Sequence, residues 1–77
     1  QPIGDWNVKK VVYMQNMFNG CTMFNQPLNK WTMTRVENTE MMFADCVSFD
    51  QPLDKWTVDK VVIMSSMFEN CKEFNCS

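Results

Sequence analysis

The sequence predicts a repeat solenoid of α/β type, each turn made of a short strand, a short helix and a Pro-containing return. Three observations carry this. Gln1-Pro2-Ile3 with Trp6 returns as Gln26-Pro27-Leu28 with Trp31, and again as Gln51-Pro52-Leu53 with Trp56. The step from Gln1 to Gln26 equals that from Gln26 to Gln51, with no insertion, and eight sites of the period are identical in all three copies. A fixed period of roughly 20–50 residues is the signature of stacked supersecondary units. The apolar sites within one period are also spread too widely for a single helix face.

The third copy shows the order of elements. Its apolar sites are Val58, Val61, Met64, Met67, Phe68, Cys71 and Phe74. Wound as one helix at about 100° per residue, they would cover roughly 200° of its surface. Splitting the segment removes the conflict. Val61-Val62-Ile63 is a β-branched run and predicts a short strand. Ser65 supplies an N-cap oxygen, and a helix of about two turns follows, with Met67, Phe68 and Cys71 on one face. The first copy repeats this with Val11-Val12-Tyr13 and a helix starting near Gln15. In the second, Thr39 replaces Met14 and Met64 and would cap a helix through Met41-Met42-Phe43. Gly20 and Asn70 suit a helix end. The Asn-Gln-Pro and Asp-Gln-Pro stretches are returns, because proline ends a helix and holds its predecessor extended.

Residues 1–77 therefore read as one solenoid domain of three units, 1–25, 26–50 and 51–75. No unit buries its apolar side alone. Stacking predicts columns of core residues: Trp6, Trp31 and Trp56; Met17, Met42 and Met67; Phe18, Phe43 and Phe68; Cys21, Cys46 and Cys71; Phe24, Phe49 and Phe74. A buried aromatic contributes roughly 2–3 kcal/mol, so these columns are expected to dominate stability. Gln1, Gln26 and Gln51 are placed to form a side-chain amide ladder. The outer faces of the first and last units carry no polar cap, which repeat arrays normally require. A fragment of a longer array, or a chain whose ends meet neighbours, is expected.

The cysteines have two readings. Three recur at one apolar site, where a free thiol serves as a small core filler. Cys76 falls outside the pattern, and a Cys71–Cys76 disulfide would staple the last unit. The thiols alone do not place the chain in a redox compartment.

Composition excludes several function classes. The net charge is −2 and the basic residues are scattered, apart from Lys9-Lys10, so no nucleic-acid footprint is expected. No apolar run approaches the ~20 residues of a membrane span, so membrane insertion by this segment is not expected. There is no histidine, no Ser/His or Cys/His pair, no Gly-rich phosphate loop and no calcium loop. The chain is expected not to be an enzyme, and no cofactor or metal is assigned. Met14-x-x-Met17 and Met64-x-x-Met67 match soft-metal spacing, but those sites also belong to the repeat's core. The tryptophans read as packing residues with an N–H at the rim rather than as a sugar-stacking platform.

The runs Phe49-Asp50-Gln51-Pro52-Leu53-Asp54-Lys55-Trp56-Thr57-Val58 and Phe24-Asn25-Gln26-Pro27-Leu28-Asn29-Lys30-Trp31 carry a family resemblance. Together with Val61, Met64 and Met67-Phe68, they resemble a bacterial surface-protein repeat of the same period, the DUF285 or BspA-like group. That family is abundant in mycoplasma lipoproteins and occurs in other bacteria and in eukaryotic microbes. The resemblance covers essentially the whole chain. It implies a leucine-rich-repeat-like fold, an extracellular or cell-surface location, and a binding or adhesive role. It brings no catalytic residue. The site of Cys21, Cys46 and Cys71 is more often alanine in the family, which agrees with a small core residue.

The sites that vary define a candidate binding face: Lys9, Thr34 and Asp59; Val12, Glu37 and Val62; Tyr13, Asn38 and Ile63. Val12, Tyr13, Val62 and Ile63 form its apolar patch. The expected function is protein–protein recognition or adhesion by a surface module. The alternative is a structural segment that self-associates end to end into a filament, sheath or capsid-like layer. The partner is accordingly another protein or neighbouring copies of the chain. Asn75-Cys76-Ser77 has the form of an N-glycosylation acceptor at Asn75.

Overall fold

Two positions in every copy of the repeat lie in the left-handed backbone region, and they decide the local structure. One set is Asn16, Met41 and Ser66, with φ of 61°, 53° and 56°; the other is Gly20, Asp45 and Asn70, with φ of 82°, 62° and 61°. An α-helix needs an unbroken run of right-handed residues. Left-handed residues at both Asn16 and Gly20, and at their equivalents, leave no room for one. The computed structural model describes residues 3–74. Its one helical segment among them is a 3-10 turn over Ile3–Asp5. The helices expected after Gln15, Thr39 and Ser65 are instead runs of turns.

The hydrogen bonds show what replaces them. Met17, Asn19 and Cys21 donate their N–H groups back along the chain, to the carbonyls of Met14, Asn16 and Phe18. The alternate residues donate outward, to the next segment. Met14, Asn16, Phe18 and Gly20 donate to the carbonyls of Asn38, Glu40, Met42 and Ala44 at 2.8–2.9 Å. Thr39, Met41, Phe43 and Asp45 do the same to Ile63, Ser65, Met67 and Glu69 at 2.8–3.0 Å. A helix would use every N–H internally; here half of them tie one segment to its successor. Glu37 N–H to the Val12 carbonyl and Val62 N–H to the Glu37 carbonyl run the other way. The predicted strands shrink to single parallel bridges, Tyr13 with Asn38 and Asn38 with Ile63.

The residues common to all three segments mostly close these turns. Trp6, Val11, Met17, Cys21 and Phe24 donate to the carbonyls of Ile3, Val8, Met14, Phe18 and Cys21, and their equivalents in the second and third segments do the same. Most of these closures turn a side chain inward; those of Trp6, Met17 and Cys21 do not. Phe18 stacks on Phe24 at 4.2 Å between ring centroids, Phe43 on Phe49 at 4.4 Å and Phe68 on Phe74 at 4.5 Å. Between segments Phe18 meets Phe43 at 5.6 Å and Phe43 meets Phe68 at 5.5 Å; Phe24, Phe49 and Phe74 follow at 5.7 and 5.8 Å. Offset aromatic pairs of this kind contribute about 0.5–1.5 kcal/mol each beyond the area they bury.

Burial differs at the two ends. The middle segment holds the fully enclosed side chains, among them Leu28, Met33, Val36, Met42, Phe43, Cys46 and Phe49. In the first segment Val8 and Met14 are buried, while Trp6 is 51% exposed and Met17 and Cys21 are also exposed. In the third the pattern inverts: Val58 and Met64 are exposed, and Trp56, Met67 and Cys71 are half-buried. Three residues expected in the core, Trp6, Met17 and Cys21, are therefore at the surface. Their equivalents face the preceding segment: Trp31 and Cys46 donate to the carbonyls of Ile3 and Phe18.

Candidate interaction surface

Two of the three sets of variable positions lie in rows along the bridged backbone. Tyr13, Asn38 and Ile63 are paired directly in the two parallel bridges, which place their side chains on one side of the ladder. Val12, Glu37 and Val62 are neighbours through the backbone bonds between them. Tyr13 is 67% and Val62 78% exposed; Lys9, Thr34, Glu37, Asp59 and Ile63 are exposed, while Val12 and Asn38 are half-buried. The polar pair Glu37 and Asn38 is thus flanked by Val12 and Tyr13 on one side and Val62 and Ile63 on the other. Asn38 Oδ1 accepts from Glu40 N–H at 2.9 Å, which fixes the amide. Such a surface offers apolar contact around a central carboxylate, chemistry suited to a protein partner.

Several polar roles were invisible at the sequence level. Trp31 Nε1 donates to the Ile3 carbonyl at 2.9 Å, and Trp56 Nε1 to the Leu28 carbonyl at 2.8 Å. Cys46 Sγ donates to the Phe18 carbonyl and Cys71 Sγ to the Phe43 carbonyl, both at 2.8 Å. The cysteine is a connector as well as a filler: it reaches back 28 residues to the preceding segment. Burial pushes the Cys46 thiol up to about 11 and raises Cys71 in the same direction. Both stay protonated at neutral pH. Cys71 is a free thiol, and Cys76, its proposed disulfide partner, lies outside the described residues, as does Asn75.

The glutamines do not form the expected ladder. Gln26 Oε1 accepts from Ile3 N–H, and Gln51 Nε2 donates to both the carbonyl and Oδ1 of Asn25. Each therefore links to a residue about one period earlier, 23 and 26 positions back, through other groups; Gln1 lies outside the described residues. Asn29 Nδ2 donates to Asp54 Oδ1, Asn29 Oδ1 accepts from Lys55 N–H, and Asn70 Nδ2 donates to Asp45 Oδ1. Ser65, expected to cap a helix, points its hydroxyl at the Glu40 carboxylate instead.

Thr39 stands apart. Its hydroxyl is buried without a partner, at the floor of an open apolar hollow of about 220 Å³ on the outer face of the third segment. Trp56, Val58, Met64 and Phe68 are among the hollow's walls. The equivalent residues one segment earlier, among them Leu28, Trp31, Met33, Val36 and Phe43, are buried.

Among the described residues no three His, Cys, Asp or Glu side chains converge to hold a metal ion, and no helix is long and apolar enough to cross a membrane. What the geometry defines is a chain whose backbone contacts repeat at one constant period, with Tyr13, Asn38 and Ile63 bridged in one row. The family description "Mycoplasma protein of unknown function, DUF285" matches residues 1–77, and the chain belongs to that family. No curated protein and no solved structure matches the chain.

Proposed function

We propose that the chain is a leucine-rich-repeat-like solenoid and serves as a non-enzymatic recognition or adhesion module at the cell surface or outside the cell. One observation carries this reading. Most residues common to the three segments close turns, whereas Val12, Glu37 and Val62, and Tyr13, Asn38 and Ile63, differ along rows tied by backbone bonds and by the Tyr13–Asn38–Ile63 bridges, as Lys9, Thr34 and Asp59 differ near them in sequence. A constant frame with a variable face is how stacked repeats build extended binding surfaces. The resemblance to surface-protein repeats supports the location. Beads coated with the chain should adhere to cultured cells or a layer of extracellular-matrix protein. Replacing Tyr13, Glu37 and Ile63 together by alanine should reduce that adhesion about tenfold, with the melting temperature held, since each hot-spot residue contributes on the order of 1 kcal/mol or more. Equal adhesion of the two proteins overturns the assignment of the face.

A second reading, structural assembly end to end into a filament, sheath or capsid-like layer, is favoured by the apolar side chains exposed at both outer segments: Trp6 and Met17 on the first, Val58 and Met64 on the third.

A further inference from the structure

The stack gathers charge that the sequence scatters. In each segment the chain turns sharply, from Val8 to Val11, Met33 to Val36 and Val58 to Val61, and each turn is closed by an N–H to carbonyl bond of 2.9–3.1 Å. The third residue of each turn is basic: Lys10, Arg35 and Lys60. Bonds one to two residues further on, from Glu37 N–H to the Val12 carbonyl and from Val62 N–H to the Glu37 carbonyl, hold the three turns in one register. The cations therefore form a column with one charge per segment, carried on backbone that steps about 4.8 Å between bridged neighbours. All three are exposed, Arg35 included, although its segment has a neighbour on each side. Among the described residues none of them makes an ion pair, not even Lys60 with Asp59 beside it; the pair of Lys30 with Asp5 lies on another turn.

Like charges set opposite one another along a ladder are destabilising. Packing into the core does not account for their recurrence, because all three side chains are exposed. The preceding position changes from Lys9 to Thr34 to Asp59, whereas at the cation the charge is kept and the residue type is not. Of the seven basic residues six lie in 3–11, 28–36 and 53–61, against three of the nine acidic ones, so these stretches are basic in a chain of net charge −2. A polar groove of about 210 Å³ between the second and third segments adjoins the column; Lys30, Thr32, Thr34, Lys55 and Thr57 are among its walls. The three threonine hydroxyls have no partner among the described residues.

We propose that the column and groove bind a linear anionic polysaccharide laid along the stack, with its sulfate or carboxylate groups at Lys10, Arg35 and Lys60 and its sugar hydroxyls over Thr32, Thr34 and Thr57. A single charge repeated at each segment fits a chain of anions rather than one ion. Duplex DNA carries a charge every ~1.7 Å, much denser than this column. Single-stranded nucleic acid binds on aromatic platforms, whereas the one ring in the groove's wall, Trp31, is buried. This site is separate from the Tyr13, Glu37 and Ile63 face, and neither needs the other.

Fluorescence anisotropy of labelled dextran sulfate and carboxymethyl dextran, with uncharged dextran as the blank, tests this over a range of salt. At least one charged polymer should bind, more weakly as salt rises, and the uncharged polymer should not. The triple variant Lys10→Gln, Arg35→Gln and Lys60→Gln should bind about tenfold or more weakly, with a log–log salt slope shallower by roughly 2, as for three lost cation contacts. Its melting temperature should equal or exceed the parent's, because the like-charge ladder is gone. Lys72→Gln, outside these turns, should bind as the parent does. No binding of either charged polymer at low salt overturns the proposal, as does binding that survives in the triple variant. A lower melting temperature for the triple variant shows the cations to be partnered in solution and overturns the unpaired column. Equal or tighter binding to duplex DNA or to phosphatidylserine vesicles overturns the choice of a polysaccharide.

Discussion

Met41 and Ser66 hold left-handed backbone that asparagine and glycine adopt at lower cost. Asn16 already fills the equivalent site in the first segment. Ser66→Asn should therefore stabilise the chain by about 0.5–1 kcal/mol, and Ser66→Val should destabilise it by more than about 1 kcal/mol, both read from denaturant midpoints. Thr39 is a second strained residue of another kind. Its buried hydroxyl has no partner, and such a group costs about 1–3 kcal/mol. Thr39→Val keeps the shape and removes the orphan, so the midpoint should rise; a fall would show that the hydroxyl is satisfied in solution. Cys46 contributes a pH dependence. Its thiol is raised from 9.0 to about 11 by burial, so the folded state keeps a proton that the unfolded chain loses. That stability is complete below pH 9 and is lost as the pH rises to about 11, a change on the order of 2 kcal/mol. Urea titrations across that range should show the decline, and Cys46→Ala should flatten part of it.

At the scale of the segment, the unit is a chain of tight turns whose alternate N–H groups leave it for the next segment. Stability should then follow the number of neighbours a segment has, more than its own sequence. Phe43 lies between Phe18 and Phe68 and is fully buried, whereas Phe68 has its ring partners on one side and within its own segment. Phe43→Ala should cost about 3–5 kcal/mol, and Phe68→Ala clearly less, although both residues follow a Met and precede a Cys at the same spacing. Equal losses would mean that the segments are stabilised independently. The contact period was legible because the residues that close turns, Trp6, Val11, Met17, Cys21 and Phe24, are the ones that recur unchanged. The turn-for-helix exchange was not. Gly20, Asn16 and Asn70 are permissive for left-handed backbone, but Met41, Asp45 and Ser66 at the same sites conceal it. Met67, Phe68 and Cys71 have helical spacing whether or not a helix forms. Tyr13, Glu37 and Val62 vary in the sequence and are exposed in the structure, while the carbonyl partners of Trp31, Trp56, Cys46 and Cys71 required the stacking register.

At the scale of the whole molecule, direction matters more than composition. Every segment offers Val8-, Met14-type side chains and alternate N–H groups to its successor, and Trp6-, Met17-, Cys21-type side chains and carbonyls to its predecessor. Identical residue types therefore meet opposite fates at the two ends, which no column of aligned residues reveals. The central claim is this alternating, directional bonding, and residue-resolved amide hydrogen exchange tests it most directly. In a dilute monomer, the amides of Met14, Asn16, Phe18, Gly20, Thr39, Met41, Phe43 and Asp45 should be protected, while those of Met64, Ser66, Phe68 and Asn70 exchange freely. Protection of the last four equal to that of Thr39, Met41, Phe43 and Asp45, or a continuous helix-like block of protection from Ser65 to Cys71, would contradict the account.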